Sequence, residues 1–88
     1  MRLMKINYKN KNDVERLKTC FDMCAIKYVI FKEYEFVDGT ALYSIFIDKN
    51  ICKWADVIRE INRVHPVKMK YLNNLEIKDG ELYEIINA

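Results

Sequence analysis

An Asp-Gly pair between two runs of β-forming residues restricts the fold of this chain more than any other feature. Asp38 and Gly39 lie within residues 28–47, a segment rich in branched and aromatic side chains. Asp-Gly between such runs is a strong signal for a β-hairpin, because both residues tolerate the positive φ of a tight turn. A two-residue turn pairs Val37 with Thr40 and sets every residue pair outward from there.

That register assigns the side chains of the hairpin to two faces. It pairs Tyr34 with Tyr43 and Phe31 with Phe46. The face predicted to join the core carries Tyr28, Ile30, Tyr34, Phe36, Tyr43, Ile45 and Ile47. The other face is mixed in character and carries Phe31, Glu33, Glu35, Leu42, Ser44, Phe46 and Asp48. The register of this one turn therefore decides which aromatic rings face the solvent.

The segment before the hairpin predicts a strand and then a helix. Residues 3–8 alternate in polarity, which is typical of a half-buried strand. Asn12 is expected to cap a helix over residues 13–26, with Glu15 as its capping-box partner. The apolar stripe of this helix comprises Val14, Leu17, Phe21 and Cys24.

The segment after the hairpin repeats this order with a helix and then a strand. Asp48 or Asn50 is expected to cap the helix, and Pro66 should end it at His65. Its apolar stripe comprises Ile51, Trp54, Ala55, Ile58 and Ile61. The strand that follows alternates, with Val67, Met69 and Tyr71 opposed to Lys68 and Lys70.

The order strand, helix, strand, strand, helix, strand predicts an α+β fold of the ferredoxin-like βαββαβ type. Its antiparallel sheet should have the order fourth-first-third-second, with two helices on one face. An extra C-terminal element follows, either a hairpin around Asp79-Gly80 or a short helix capped by Asp79, and the hairpin is preferred. Residues 1–88 are expected to form a single domain.

Charge and thiol content narrow the classes of function. The chain carries 15 basic and 13 acidic residues without a block of like charge, unlike a protein dominated by phosphate contacts. No apolar run reaches the roughly 18–20 residues of a membrane span, so no membrane partner is expected. Cys20, Cys24 and Cys52 are an odd number without an export signal, which favours reduced thiols and a cytoplasmic location.

The sequence contains no recognisable motif for catalysis or for binding a metal or cofactor, so the chain is not expected to be an enzyme. Cys20 and Cys24 share a helix face, but a metal would need two more ligands and the lone His65 lies beyond the second helix. His65 is expected to act as a helix cap, and only a spatial pairing with Cys52 would supply a nucleophile and a base. A Gly-rich anion loop, as in acylphosphatases, and a Cys-x-x-Cys, as in heavy-metal-associated domains, are both absent.

The sheet face away from the helices is the predicted binding surface. Phe31 and Phe46 are expected to form an exposed cross-strand pair between an acidic and a basic side. The predicted partner-binding residues are Phe31, Phe46, Glu33, Glu35, Lys68 and Lys70. In the alternative arrangement, the C-terminal element folds over this face and buries both rings.

These observations favour a non-catalytic protein-binding module that inhibits or regulates another macromolecule. One concrete version, suggested by small size and a Lys/Asn/Ile/Tyr-rich composition, is a phage or mobile-element inhibitor of a host protein, in the manner of anti-CRISPR proteins. A second hypothesis is an RNA- or DNA-binding domain that uses Lys5, Lys68, Lys70 and Phe46. A third is a structural or regulatory domain that self-associates through a sheet edge or through the Phe31–Phe46 pair.

Overall fold

Eight helices and strands follow one another in the described part of the chain. The computed structural model describes residues 3–48, 54–64 and 66–85. In chain order the elements are β1 (Leu3–Tyr8), α1 (Lys11–Met23), β2 (Tyr28–Glu35), β3 (Ala41–Asp48), α2 (Trp54–Arg63), β4 (Lys68–Leu72), β5 (Leu75–Lys78) and β6 (Glu81–Glu84). Within these ranges the fold is α+β, with a four-stranded antiparallel sheet, a two-stranded sheet and two helices.

The four-stranded sheet has the order β2-β3-β1-β4, which reads β4-β1-β3-β2 from the opposite edge. Each neighbouring pair of strands is antiparallel. In the middle of the sheet, Ile6 on β1 lies opposite Ile45 on β3 and opposite Met69 on β4. The outer strands β2 and β4 have no further partner strand among the described residues.

Both helices pack on one face of this sheet and enclose the main core. The buried residues of the cluster are Met4, Ile6, Tyr8, Val14, Leu17, Phe21, Ile26, Ile45, Ile47, Val57, Ile61 and Val64. The one hydroxyl in this set is satisfied, because Tyr8 donates a hydrogen bond to the carbonyl of Ile61 at 3.0 Å. The alternation of β1 and the stripe of α1 predict this inner face correctly.

The predicted start of α1 is wrong by two residues. Asn10, in an extended conformation, is the N-cap, and its side chain accepts a hydrogen bond from the backbone N–H of Asn12 at 2.8 Å. Asn12 is therefore inside the helix. Two asparagines two positions apart offer equivalent caps in the sequence, and the end of β1 at Tyr8 selects the nearer one.

The apolar stripe of α2 also differs from the prediction at two positions, Ala55 and Val57. Val57 and Ile61 are its fully buried residues, whereas Ala55 is exposed. Trp54, Val57 and Ile61 lie at helical spacing on the inner face, and Ala55 is rotated away from it. Ile51, Asn50 and His65 lie outside the described residues. Neither described helix has the length and apolar character needed to cross a membrane.

The turn between β2 and β3 has three residues rather than two. Phe36 donates a hydrogen bond to the carbonyl of Thr40 at 2.7 Å, and Gly39 donates to the carbonyl of Phe36 at 3.0 Å. Gly39 has a positive φ of 89°, but Asp38 does not, so the primed two-residue turn is excluded. The carboxylate of Asp38 instead accepts from the backbone N–H and the hydroxyl of Thr40, which stabilises the longer turn. The predicted pairing of Val37 with Thr40 is wrong.

A bulge on β2 shifts the register a second time. Lys32 pairs with Tyr43 and Tyr34 pairs with Leu42, so Glu33 is an extra residue on β2. Because Leu42 points away from the helices, Tyr34 does so too and leaves the predicted core. Phe36 leaves it as well, with its ring centroid 4.9 Å from that of Tyr34.

The C-terminal segment is a hairpin, as preferred from the sequence, and the short-helix alternative is wrong. β5 and β6 pair in antiparallel fashion, with Lys78 opposite Glu81 across the turn. Asp79 and Gly80 both have positive φ, at 53° and 77°, as a two-residue type I′ turn requires. The same dipeptide thus closes a two-residue turn here and a three-residue turn at Gly39.

α1 ends in a left-handed residue that is not glycine. Ala25 has a φ of 55°, and the backbone N–H of Ile26 donates to the carbonyl of Phe21 at 3.0 Å. This pattern is a Schellman motif, whose left-handed position favours glycine because a Cβ is strained there.

We expect Ala25→Gly to raise the free energy of unfolding by about 1 kcal/mol, because it removes that strain. Urea unfolding measures the change. The matched control is Ala55→Gly in α2, where φ is helical and the same substitution should destabilise by up to about 1 kcal/mol. Destabilisation by Ala25→Gly would contradict the assigned helix end.

Candidate binding surface

The sheet face turned away from α1 and α2, called the open face from here on, carries its own buried side chains. Leu3, Val29 and Phe46 are buried on this face and lie outside the core cluster under the helices. The C-terminal hairpin lies against them. Leu75 shares a concavity with Phe46, and Ile77 lines a second one beside the start of β2. β5 therefore crosses the open face from the β4 side to the β2 side.

The two phenylalanines of the predicted pair lie on the open face, but they differ in exposure. Phe31 is 45% exposed, whereas Phe46 is only 7% exposed beside the hairpin. Their ring centroids are 5.9 Å apart in an edge-to-face arrangement. Phe31 lies directly opposite Ser44 rather than Phe46, because the three-residue turn and the bulge each shift the pairing by one residue. The prediction of an exposed pair is thus wrong for Phe46, which is a packed residue that supports Phe31.

A row of aromatic residues, called the aromatic margin, follows β2 at the outer side of the open face. It consists of Phe31, Tyr34 and Phe36. Tyr34 is the most exposed of the three at 58%, and Lys9 places its ammonium 5.6 Å from the centroid of Phe36. Sequence reasoning missed Tyr34. The one sequence signal for the exposure of Tyr34 is the adjacent charged pair Lys32-Glu33. This pair interrupts the alternation of polar and apolar residues along β2 at the position of the bulge.

A chain of polar contacts crosses the open face from β1 to β2. Glu33 pairs with the ammonium of Lys5 at 2.9 Å, and the hydroxyl of Ser44 lies near its carboxylate. Asn7 donates in turn to the hydroxyl of Ser44 at 2.7 Å. The hydrogen bond from Lys5, then the nearby hydroxyl of Ser44, and the charge of Lys68 lower the pKa of Glu33. Glu33 therefore serves to hold Lys5 in place.

This lowered pKa predicts a pH-dependent contribution to stability. A carboxylate with a depressed folded-state pKa stabilises the fold above its unfolded pKa, about 4.3, and loses that contribution as the pH falls through the folded pKa. We expect the Glu33→Gln variant to have a lower free energy of unfolding than the wild type at neutral pH. Its free energy of unfolding should also fall less than that of the wild type on acidification. Urea unfolding at neutral pH and at about pH 3 measures both quantities.

Lys5→Met provides the control for this prediction, because it removes the partner and leaves the carboxylate. At neutral pH, the double variant should be no less stable than either single variant. Additive losses from two independent residues would contradict the coupling of Lys5 to Glu33.

The basic side of the open face lies where β1 and β4 pair. Lys5 is directly opposite Lys70, and Asn7 is directly opposite Lys68. These residues line a concavity of about 230 Å³ whose complete lining is Lys5, Asn7, Phe46, Lys68, Lys70, Leu72 and Leu75. The ammonium of Lys5 lies 5.7 Å from the centroid of the Phe46 ring.

The structure thus divides the six predicted partner-binding residues among four places. Phe46, Lys68 and Lys70 surround the concavity, while Phe31 belongs to the aromatic margin and Glu33 reaches Lys5 between them. Glu35 lies opposite Ala41, whose side chain points toward the helices, and it pairs with Lys32 at 3.6 Å. The predicted place of Glu35 on the open face is therefore wrong.

The thiols of α1 lie on the other side of the sheet. Cys20 and Cys24 are half-buried free cysteines, and burial, followed by the neighbouring thiol, raises the pKa of Cys20. A raised pKa reduces the thiolate fraction that nucleophilic or metal chemistry needs. Among the described residues, no group of three or more His, Cys, Asp or Glu side chains is arranged to hold a metal. Cys52 and His65, whose spatial pairing the sequence leaves open, lie outside the described residues.

Comparison with known proteins does not extend this description. No protein-family model matches the chain, and neither a curated protein nor a solved structure is significantly similar to it.

Proposed function

We propose that this chain is a non-catalytic protein-binding module that inhibits or regulates another macromolecule by occupying its surface through the aromatic margin. One observation carries the proposal. Phe31 and Tyr34 expose 45% and 58% of their surfaces side by side on the open face, along an outer strand. Aromatic side chains are enriched at the energetic centres of protein interfaces, where they fill pockets on the partner.

The neighbours of these rings support a role as anchors. The edge-to-face contact with Phe46 restricts the motion of Phe31, and the contact with Phe36 does the same for Tyr34. Ordering them on binding therefore costs less conformational entropy than ordering mobile side chains. Glu33 and its partner Lys5 supply charged groups on the same face as the rings, as in the polar rim of an interface.

We also assign the architecture to the ferredoxin-like type. The support is the strand order, the antiparallel pairing of all neighbours and the position of both helices on one face of the sheet. The C-terminal hairpin is an addition to that plan. Because one fold serves many functions, the assignment adds nothing to the case for binding.

Site-specific photo-crosslinking tests the proposed function. A photoreactive phenylalanine analogue at position 34 should give adducts with a partner protein in native extract. The same analogue at Met23 should give none, because this residue is also strongly exposed, at 82%, but lies at the end of α1. Adducts from position 23 alone would contradict docking through the aromatic margin. Adducts with a second copy alone would favour the self-associating domain instead.

Nucleic-acid binding is kept as a second proposal, because Lys5, Lys68, Lys70 and Phe46 line one concavity. Two features weaken it. Phe46 exposes too little ring for base stacking, and Glu33 neutralises Lys5. Titration with single-stranded oligonucleotides over a range of salt concentrations decides this point, since phosphate contacts make binding fall steeply with salt.

The narrower prediction of a phage inhibitor, in the manner of anti-CRISPR proteins, rests on size and composition alone. A cytoplasmic location is supported by the free thiols of Cys20 and Cys24. Neither is needed for the binding proposal.

A further inference from the structure

We propose that the concavity between β1, β4 and the C-terminal hairpin binds the phosphate group of a small molecule that also carries an apolar or aromatic group. This site is distinct from the aromatic margin, and its ligand would be independent of the proposed protein partner. The inference rests on an unfavourable arrangement of charge, on the shape of the concavity and on the chemistry of its walls.

Lysine side chains face each other across β1 and β4. Lys5 and Lys70 are direct partners in the antiparallel register, and Lys68 is two residues along the same strand. Like charges in directly opposed positions destabilise a sheet. Glu33 pairs with Lys5 and lies within the electrostatic reach of Lys68, but neither Lys68 nor Lys70 has an ion pair of its own among the described residues. An anion held between the ammonium groups would offset this repulsion.

The walls of the concavity match a ligand with one charged and one apolar end. The Asn7–Ser44 hydrogen bond fixes the polar part of its floor. The ring of Phe46 and the side chains of Leu72 and Leu75 supply apolar surface close to the lysines. A volume of about 230 Å³ is below the range of about 300–1,000 Å³ typical of pockets for drug-sized ligands, so the ligand is compact.

The position of the hairpin favours a small ligand over a polymer. Leu75, at the start of β5, lines the concavity, and β5 continues across the open face toward β2. A nucleic-acid strand in this concavity would meet the hairpin on that side. A small phosphate compound has no chain that would meet the hairpin.

Calorimetric titration at about 0.1 M ionic strength, where the Debye length is about 10 Å, tests the proposal with three probes: inorganic phosphate, adenosine monophosphate and adenosine. We expect the nucleotide to bind more tightly than phosphate, because only the nucleotide uses both ends of the site, and adenosine to bind most weakly. Lys70→Gln should weaken nucleotide binding about fivefold, the effect of one close ion pair in water. Glu33→Gln should strengthen it by a similar factor, because it frees Lys5 from its carboxylate.

Lys18→Gln is the matched control, since it removes the same charge from the exposed side of α1. It should leave nucleotide binding within about twofold of the wild type, because exposed charges more than a Debye length apart are largely screened. Unfolding curves of all three variants verify that each is folded.

Several results would overturn the proposal. These are equal binding of adenosine and its monophosphate, equal weakening by Lys70→Gln and Lys18→Gln, or no binding of either phosphate compound. If an oligonucleotide binds about a hundredfold more tightly than the nucleotide, the concavity is a nucleic-acid site rather than a site for a small phosphate compound. None of these outcomes affects the crosslinking result at position 34, so this proposal and the proposed function fail separately.

Discussion

Phe46→Ala is expected to lower the free energy of unfolding by about 3–4 kcal/mol, the largest effect anticipated for any residue of the open face. The ring is 7% exposed, and it contacts Phe31 edge-to-face. Its removal leaves a cavity beside the C-terminal hairpin. Because a domain of this size has a stability of only about 5–10 kcal/mol, much of the fold's stability would be lost. Urea unfolding followed by circular dichroism measures the change.

Phe31→Ala is the control for that result. The same substitution at the other member of the pair should cost only about 1 kcal/mol, because nearly half of the Phe31 side chain is already in water. Equal losses at both positions would contradict the different burial of the two rings and the position of the hairpin over Phe46.

The second large effect concerns binding. Phe31→Ala and Tyr34→Ala should each weaken the affinity for the partner identified by crosslinking by at least about 2 kcal/mol, or roughly 30-fold. Both rings are exposed in the free chain and would be buried in the complex. The loss is expected mainly in the dissociation rate, as is usual for residues at the centre of an interface. Surface plasmon resonance measures both rates.

Met23→Ala serves as the matched variant, because it also removes an exposed hydrophobic side chain, but at the end of α1. It should leave the affinity unchanged within about twofold. Weakening by Met23→Ala with no effect at positions 31 and 34 would move the interface to the helical side of the molecule.

The periodic elements could be predicted from the sequence because each repeats one local rule. Alternation placed Met4, Ile6 and Tyr8 under the helices, and 3.6-residue spacing placed Val14, Leu17 and Phe21 on the inner face of α1. Each of these patterns spans several residues that agree with one another. One residue that departs from the pattern therefore does not change the predicted type or inner face of the element.

The register of the β2–β3 hairpin could not be predicted, because it depends on two local irregularities. The three-residue turn at Gly39 shifts the pairing by one residue, and the bulge at Glu33 shifts it again. Since one residue of shift moves a side chain to the opposite face, Tyr34 changed from a predicted core residue to an exposed one. Both Asp-Gly turns look alike in sequence, yet only Asp79 adopts the positive φ of the two-residue form.

The burial of Phe46 depends on a different kind of information. Its neighbours in sequence predict only that it points away from the helices. Whether that face is covered depends on where the chain places the β5–β6 hairpin after β4, which is a tertiary contact between distant segments. The sequence therefore predicts the face on which both rings lie and the exposure of Phe31, but not the burial of Phe46.

Hydrogen–deuterium exchange of the chain with and without its crosslinked partner tests the central claim most directly. We predict new protection in peptides covering residues 28–36, which contain β2 and the aromatic margin, and none over residues 11–23 of α1. Protection confined to α1 and α2, with exchange in β2 unchanged, would contradict the assignment of the open face as the binding surface.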